Sequence, residues 1–362
     1  MEKNRRNALK AGASAVMGAV MLNLQANENA VAGETGTAVD VKSIAPLSSK
    51  AAVRLVTCIF KGGTASGVGL VLDDGRIIDL VAEAKRQNIA LSFAGDSMIA
   101  LIAGGDAALA QVIAVGERAR HSESVFPALN SVRLLSPIPK PERNIYCVGW
   151  NYLDHFEEGK RARIDKVVDK LPDHPVFFTK GTHTMNGPFD PIPHDASNSN
   201  TTDWEAELAV VIGKRGRNIS EAEAMDYVFG YSAFNDTTER EIQQKRHGGQ
   251  WFKGKSLDGH GPMGPWIVSA AGVNLDQVRV ICRVNGIEKQ NASYQQMYFK
   301  VPRIIAELSR GMTLEPGDII ATGTPSGVGF ARVPPEYLQP GDIMETDIVG
   351  VGTIRNLIKA ET

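Results

Sequence analysis

Asp203-Trp204-Glu205-Ala206-Glu207-Leu208-Ala209-Val210-Val211-Ile212-Gly213 is the stretch on which the reading of this chain turns. Its second half is apolar and rich in Val and Ile, the composition of a β-strand. On a strand the side chains alternate with period two, so Glu205 and Glu207 share a face, with Cα atoms about 6.6 Å apart. Two like charges leading into so apolar a run are costly unless something positive lies between them. All-oxygen ligation suits a hard cation, Mg²⁺, Mn²⁺ or Ca²⁺, rather than zinc. The competing reading is an exposed edge strand whose glutamates face water. Asp236, in Phe234-Asn235-Asp236-Thr237, follows another apolar stretch and is a candidate third ligand.

Short Val- and Ile-rich segments recur around this one: Ile145–Val148, Val278–Val284, Ile319–Ala321 and Thr353–Leu357. Pro316-Gly317-Asp318 and Pro340-Gly341-Asp342 each turn the chain before an apolar run. Helices are expected over Pro302–Arg310 and Ser220–Phe229. Many strands, few helices and frequent glycine turns make residues 139–362 a mainly β, rolled or barrel-like catalytic domain. Upstream, Pro137, Pro139 and Pro141 mark a domain boundary. Residues 51–138 pair a hairpin, Ala52–Cys58 with Ala65–Leu72, with Ile77–Leu80 and a helical pattern over Asp106–Arg118. They read as a small α+β domain without chemistry of its own. The fold class is therefore α+β, mainly β.

The chain has 362 residues and 39 Lys+Arg against 41 Asp+Glu, a net charge of −2, which excludes nucleic-acid binding through a strongly basic face. Cys58, Cys147 and Cys282 are an odd number, and exclude a disulfide framework. No apolar run reaches the roughly 18 residues of a membrane span. The N-terminus places Arg5-Arg6 and Lys10 before an uncharged run, Ala11–Leu22, with Ala30-Val31-Ala32 beyond it. That order is a signal peptide. It resembles the twin-arginine type, without the usual Ser before and Phe after the arginines. Residues 1–32 are then a signal peptide and 33–50 a linker. The mature protein would be exported to the periplasm and carry no membrane segment. A general secretory signal or a merely basic N-terminus are the alternatives.

Two further motifs carry chemistry. In Gly149-Trp150-Asn151-Tyr152-Leu153-Asp154-His155-Phe156-Glu157-Glu158, a helix would bring His155 and Glu158, at i and i+3, within hydrogen-bond reach. The carboxylate could orient the imidazole or itself activate water. Gly249-Gln250-Trp251-Phe252-Lys253-Gly254-Lys255-Ser256 formally fits a phosphate-binding loop. Its interior is too bulky, and Gly261-Pro262-Met263-Gly264-Pro265 forbids the helix that must follow. His183, His194, His247 and His260 read as loop residues, solvated or structural; His260 is nearest in sequence to Lys255. The four tryptophans read as core or pocket wall.

The motifs, taken in order, resemble those of the fumarylacetoacetate hydrolase family. The matching pieces are Gly149-x-Asn151-Tyr152-x-x-His155-x-x-Glu158, Phe177-Phe178-x-Lys180, Asp203-Trp204-Glu205-Ala206-Glu207-Leu208 and Asn235-Asp236-x-Thr238-x-Arg240-x-x-Gln243. Gly254-Lys255-Ser256-x-Asp258, Gly264-Pro265-Trp266 and Gly323-Thr324-Pro325-x-Gly327-Val328-Gly329 complete them. The resemblance spans about residues 140–358. It implies a mixed β-sandwich roll, commonly a homodimer, with Mg²⁺ or Mn²⁺ held by Glu205, Glu207 and Asp236. It implies His155 and Glu158 on a lid, with Lys255 as a third catalytic group. Arg240, Gln243 and Thr324 would line the pocket.

The activity expected from the resemblance is hydrolysis of a C–C bond in 2,4-dioxo acids, giving pyruvate or a related 2-oxo acid. An isomerase or decarboxylase on the same metal–enolate site is the alternative, and a non-catalytic binding protein for oxo acids is a third. Three departures bear on the substrate: the charged stretch Gly159–Asp173, Gly181 where proline is frequent, and Glu241 where aspartate usually follows the arginine.

Overall fold

The computed structural model describes residues 52–60, 62–162 and 170–361, together with Ile44, Leu47 and Ser49. The expected signal peptide, and the linker apart from those three residues, lie outside the described residues.

Strand Ala206–Ile212 runs antiparallel to Val228–Asn235 on one side and to Ile319–Ala321 on the other. Every one of its residues is buried. Leu208, Val210 and Ile212 enter one hydrophobic core, Ala209 and Val211 a second on the opposite face. A strand covered on both faces needs a continuous apolar run rather than alternation, which is what the sequence shows. The edge-strand reading is thereby removed.

The large sheet runs in the order Ile77–Asp79, Ser66–Val71, Arg54–Ile59, Gly261–Ser269, Val228–Asn235, Ala206–Ile212, Ile319–Ala321, Ile145–Gly149, Val176–Lys180. The N-terminal strands thus continue the sheet that carries the glutamates, Leu55 lying opposite Ile267. A five-stranded sheet, Ile287–Ser293, Arg279–Val284, Ile343–Ile348, Gly352–Ala360 and Ile192–His194, packs on one face through Val280, Cys282, Met344 and Ile354. The other face is covered by helix Gly105–Arg120 through Val112, Val115 and Ala119. The result is an α+β, mainly β molecule with two stacked sheets.

Helix Val301–Ser309 forms where expected, with Pro302 in its first turn, where a missing N–H costs nothing. The helix expected over Ser220–Phe229 does not form. Only a 3₁₀ turn, Ala224–Tyr227, precedes strand Val228–Asn235. Pairing on both sides outweighs the local helical preference of Glu221-Ala222-Glu223-Ala224. Among the described residues no helix is long and apolar enough to cross a membrane.

Two histidines read as loop residues are buried instead. His194 ends a strand, its Nδ1 3.0 Å from Thr202 Oγ1. His260 Nε2–H donates to the Pro193 carbonyl at 2.9 Å, and burial, then the charge of Lys180, push its pKa down to about 3. The unfolded chain therefore binds this proton first, and stability falls as pH drops below about 6.5 towards 3. Between pH 7 and pH 5 the loss from this one group is about 2 kcal/mol. His260→Gln should remove that much of the pH dependence in urea unfolding at the two pH values. Equal slopes for variant and parent would refute the assignment.

Candidate active site

The ladder pairing Ala206 with Asn235 continues one step, with the Asp236 N–H donating to the Glu205 carbonyl at 2.8 Å. Glu205 and Asp236 are therefore cross-strand neighbours. They lie on the face that Ala209 and Val211 present further along the strand. Glu207 shares that face, and on its far side Gly323 N–H donates to Glu207 Oε2 at 2.8 Å. The three carboxylates are buried and offer one oxygen each within 4.8 Å of one another. Period two on one strand and register with the next suffice to assemble the cluster.

Cations surround it unevenly. Lys255 Nζ lies 2.7 Å from both Glu205 Oε2 and Asp236 Oδ2. Lys180, wholly buried, lies 2.9 Å from Asp236 Oδ1 and donates to the Thr237 carbonyl at 3.0 Å. Arg240 bridges Asp203 at 2.7 Å and Glu205 at 2.7 Å, with Nη1 3.1 Å from Gln243 Oε1. Burial alone would raise the pKa of Glu205, but Lys255 and Arg240 outweigh it and bring the group down to about 2. Burial likewise would discharge Lys255, but Asp236 and Glu205 hold its pKa above the ordinary value. Glu207 goes the other way: burial, then the charges of Asp236 and Glu205, push it well above the carboxylate range.

Glu207 is the test of whether a metal fits. It is 1% exposed, and the Gly323 N–H is the one donor it meets among the described residues, with no cation in ion-pair contact. Four buried acids, counting Asp203, face three buried cations. A divalent ion held by Glu205, Glu207 and Asp236 would supply the missing positive charge, and hard carboxylate oxygens are the natural donors for one. The residues fit the group.

Helix Leu153–Ala162 roofs the site. Its root is fixed by Asn151, fully buried, whose Nδ2 donates to the carbonyls of Thr322 at 2.7 Å and Phe299 at 3.0 Å. On the helix, His155 Nδ1–H donates to Glu158 Oε1 at 3.0 Å, and Glu158 accepts the Gly327 N–H at 2.9 Å. Between roof and acids lies a cavity of about 350 Å³. Its side wall is aromatic: Trp251 meets Trp150 edge-on at 5.1 Å and Phe178 at 5.2 Å. Trp150 has φ +56, a left-handed backbone rare for a bulky residue. Gly149 is required beside it, since a Cβ there would stand 2.6 Å from the Trp251 ring.

His155, Glu205, Glu207, Arg240, Gln243, Lys255 and Thr324 all line the cavity. Asp236 lies beneath Lys255, and Glu158 stands behind His155. The Thr324 hydroxyl donates to the Ala206 carbonyl at 2.9 Å and accepts from Gln290 at 2.7 Å, so it is committed to the fold. Glu241 turns away towards Arg246 at 3.3 Å. Trp204 and Trp266 are core, with indole donors to the Gly327 and Val351 carbonyls. Sequence reasoning assigned no role to Lys180 or Asp203. Asp203 accepts from Arg240, Gly329 N–H and Phe330 N–H, tying the arginine to the glycine turn. Each motif contained its residue, but not the distant partner.

A cavity floored by three buried carboxylates whose donor set suits a divalent cation has the make-up of an enzyme site for small molecules. Comparison with known proteins narrows the class. The description of fumarylacetoacetate (FAA) hydrolase, C-terminal, matches residues 144–359, and the chain belongs to that family. It is 43% identical over 297 residues to the oxaloacetate tautomerase YisK of Bacillus subtilis (strain 168), covering 80% of this chain and 95% of that one. The fumarylacetoacetate hydrolase of Exiguobacterium antarcticum is similar in structure, with TM-score 0.68 and 36% identity over 85% of this chain and all of that one. A maleylpyruvate hydrolase from Sphingobium, solved with manganese(II) and pyruvate, has TM-score 0.65 and 28% identity over the same shares.

Proposed function

We propose that the chain is a divalent-metal-dependent tautomerase of 2-oxo acids, interconverting the enol and keto forms of oxaloacetate or a close analogue. This revises the expectation of C–C hydrolysis in favour of its isomerase alternative, and the identity with an oxaloacetate tautomerase supports the change. The observation that carries it is the placement of His155 and Lys255 on the same small cavity, one on the roof and one on the floor.

Enol and keto forms differ in the position of one proton, which leaves the enol oxygen while another joins C3. A divalent ion, when bound by Glu205, Glu207 and Asp236, supplies Lewis-acid stabilisation of negative charge at that oxygen. The protein's own groups do the rest. Glu158 holds His155 Nδ1–H and so leaves Nε2 free to exchange a proton with substrate. Lys255 presents an ammonium whose charge Asp236 and Glu205 secure, a donor for developing oxyanion character. Trp150, Phe178 and Trp251 give the cavity an apolar side wall.

The enol of oxaloacetate absorbs in the ultraviolet and its decay can be followed directly. With Mg²⁺ or Mn²⁺ the purified protein should accelerate that decay at least tenfold over buffer, without release of pyruvate; no acceleration sinks the reading. Hydrolysis of 2,4-dioxo acids is the second reading, favoured by the His155–Glu158 pair, which could equally activate water. It would show itself as pyruvate plus a carboxylic acid.

A further inference from the structure

The turn that receives Glu158 is held unusually firmly. Gln290, buried, donates to Thr324 Oγ1 at 2.7 Å and to the Pro325 carbonyl at 2.8 Å. The Gly327 carbonyl accepts from Trp204 Nε1 at 3.1 Å. Two residues on, Asp203 takes the Gly329 N–H at 2.7 Å and the Phe330 N–H at 3.0 Å. Gly327 itself has φ +105, and a Cβ there would lie 2.0 Å from the Lys289 carbonyl oxygen, so only glycine fits. The peptides on either side of the Ser326–Gly327 peptide are thus held through the Pro325 and Gly327 carbonyls, and the Gly327 N–H between them points at both oxygens of Glu158, 3.0 and 2.9 Å away.

We propose that the Gly327 peptide N–H is a positioning group: it fastens Glu158, and through it helix Leu153–Ala162, over the cavity, and so places the carboxylate that holds His155 Nδ1–H. Asn151 anchors the root of the helix, and Glu158 anchors it at its middle. A carboxylate can accept from Gly327 and from His155 Nδ1–H at once. That leaves the His155 Nε2 lone pair on the cavity side, ready to take a proton. An amide in place of the carboxylate must offer its oxygen to Gly327, since that N–H only donates. Its NH₂ then faces His155 Nδ1, which becomes the acceptor and places the ring proton on Nε2. The glycine N–H thus decides where the helix sits and, when the partner is an amide, which way the amide faces and so which nitrogen carries the proton; in the parent the carboxylate itself holds the proton on Nδ1. This holds whatever reaction the cavity performs.

Glu158→Gln and Glu158→Ala separate the two effects without any need for turnover. Amide hydrogen exchange is followed in the full chain across helix Leu153–Ala162, with strand Ala206–Ile212 as a control for an intact core. Glu158→Ala, which cannot accept from Gly327, should exchange at least tenfold faster through the helix. Glu158→Gln, which can, should stay within about threefold of the parent. ¹⁵N shifts of labelled histidine should move the His155 proton from Nδ1 to Nε2 in Glu158→Gln. Unchanged helix exchange in Glu158→Ala, equally raised exchange in both variants, or an unmoved His155 proton in Glu158→Gln would each overturn the proposal. If the fastening holds and no tautomerase activity appears, only the functional reading fails.

Discussion

Lys255→Met is expected to leave a folded but markedly weakened protein with at least a hundredfold lower tautomerisation rate. Among the described residues Lys255 is the one side chain in ion-pair contact with both Glu205 and Asp236, at 2.7 Å each. Removing one partner of a buried ion pair typically costs about 3–5 kcal/mol, because the remaining charge is stranded away from water. Urea unfolding of metal-free protein should show a loss of this size. The rate loss has a separate origin, the missing donor to the substrate oxygen, for which about 10²–10³ is usual. Divalent ions distinguish the two. The variant's acids have lost a competing ammonium, so Mg²⁺ or Mn²⁺ should raise its unfolding midpoint more than that of the parent, by mass action on the folded state. The rate should not recover with it. A variant within tenfold of the parent's rate would remove Lys255 from the chemistry.

The parts of this site that are legible in the sequence are the local ones. Glu205 and Glu207 sit two apart on one strand, so strand periodicity alone puts their carboxylates together. His155 and Glu158 sit three apart on a helix, and the same kind of local rule brings them within 3.0 Å. Asp236 is only a candidate on sequence grounds, because its place opposite Glu205 is a matter of register between strands, and register is set by packing and turns elsewhere. Lys180 lies 56 residues from Asp236 and Asp203 lies 37 from Arg240; nothing in the sequence around either announces the pairing. The helix expected over Ser220–Phe229 fails for a related reason. Alanines and glutamates there favour helix, while Val228–Asn235 is claimed by neighbours on both sides of the sheet. The phosphate-loop pattern ending in Lys255 and Ser256 is open to rejection on chemistry. In the structure its lysine points at acids rather than at an anion site, and Gly261–Ser269 is a strand.

The choice between moving a proton and activating water comes to rest on the histidine–glutamate pair, and Glu158→Gln tests it when both reactions are followed side by side in parent and variant. In the parent, Glu158 keeps the His155 proton on Nδ1, and the Nε2 lone pair can act as a base. With glutamine the volume and the Gly327 contact persist, but Nε2 carries the proton and can only donate. General acid–base contributions of this kind are worth about 10²–10⁴-fold, so kcat for enol decay should fall by that factor. KM should change little, because the residues that line the floor of the cavity are untouched. A hydrolase would lose pyruvate release from 2,4-dioxo acids by the same factor. The discriminating result is therefore the pair of rates: a parent that turns over enol-oxaloacetate much faster than it cleaves any acylpyruvate, with both sensitive to Glu158→Gln, is a tautomerase using one proton-handling pair. Were enol decay insensitive to the substitution while cleavage vanished, the pair would serve water, and the tautomerase reading would have to rest on Lys255 alone.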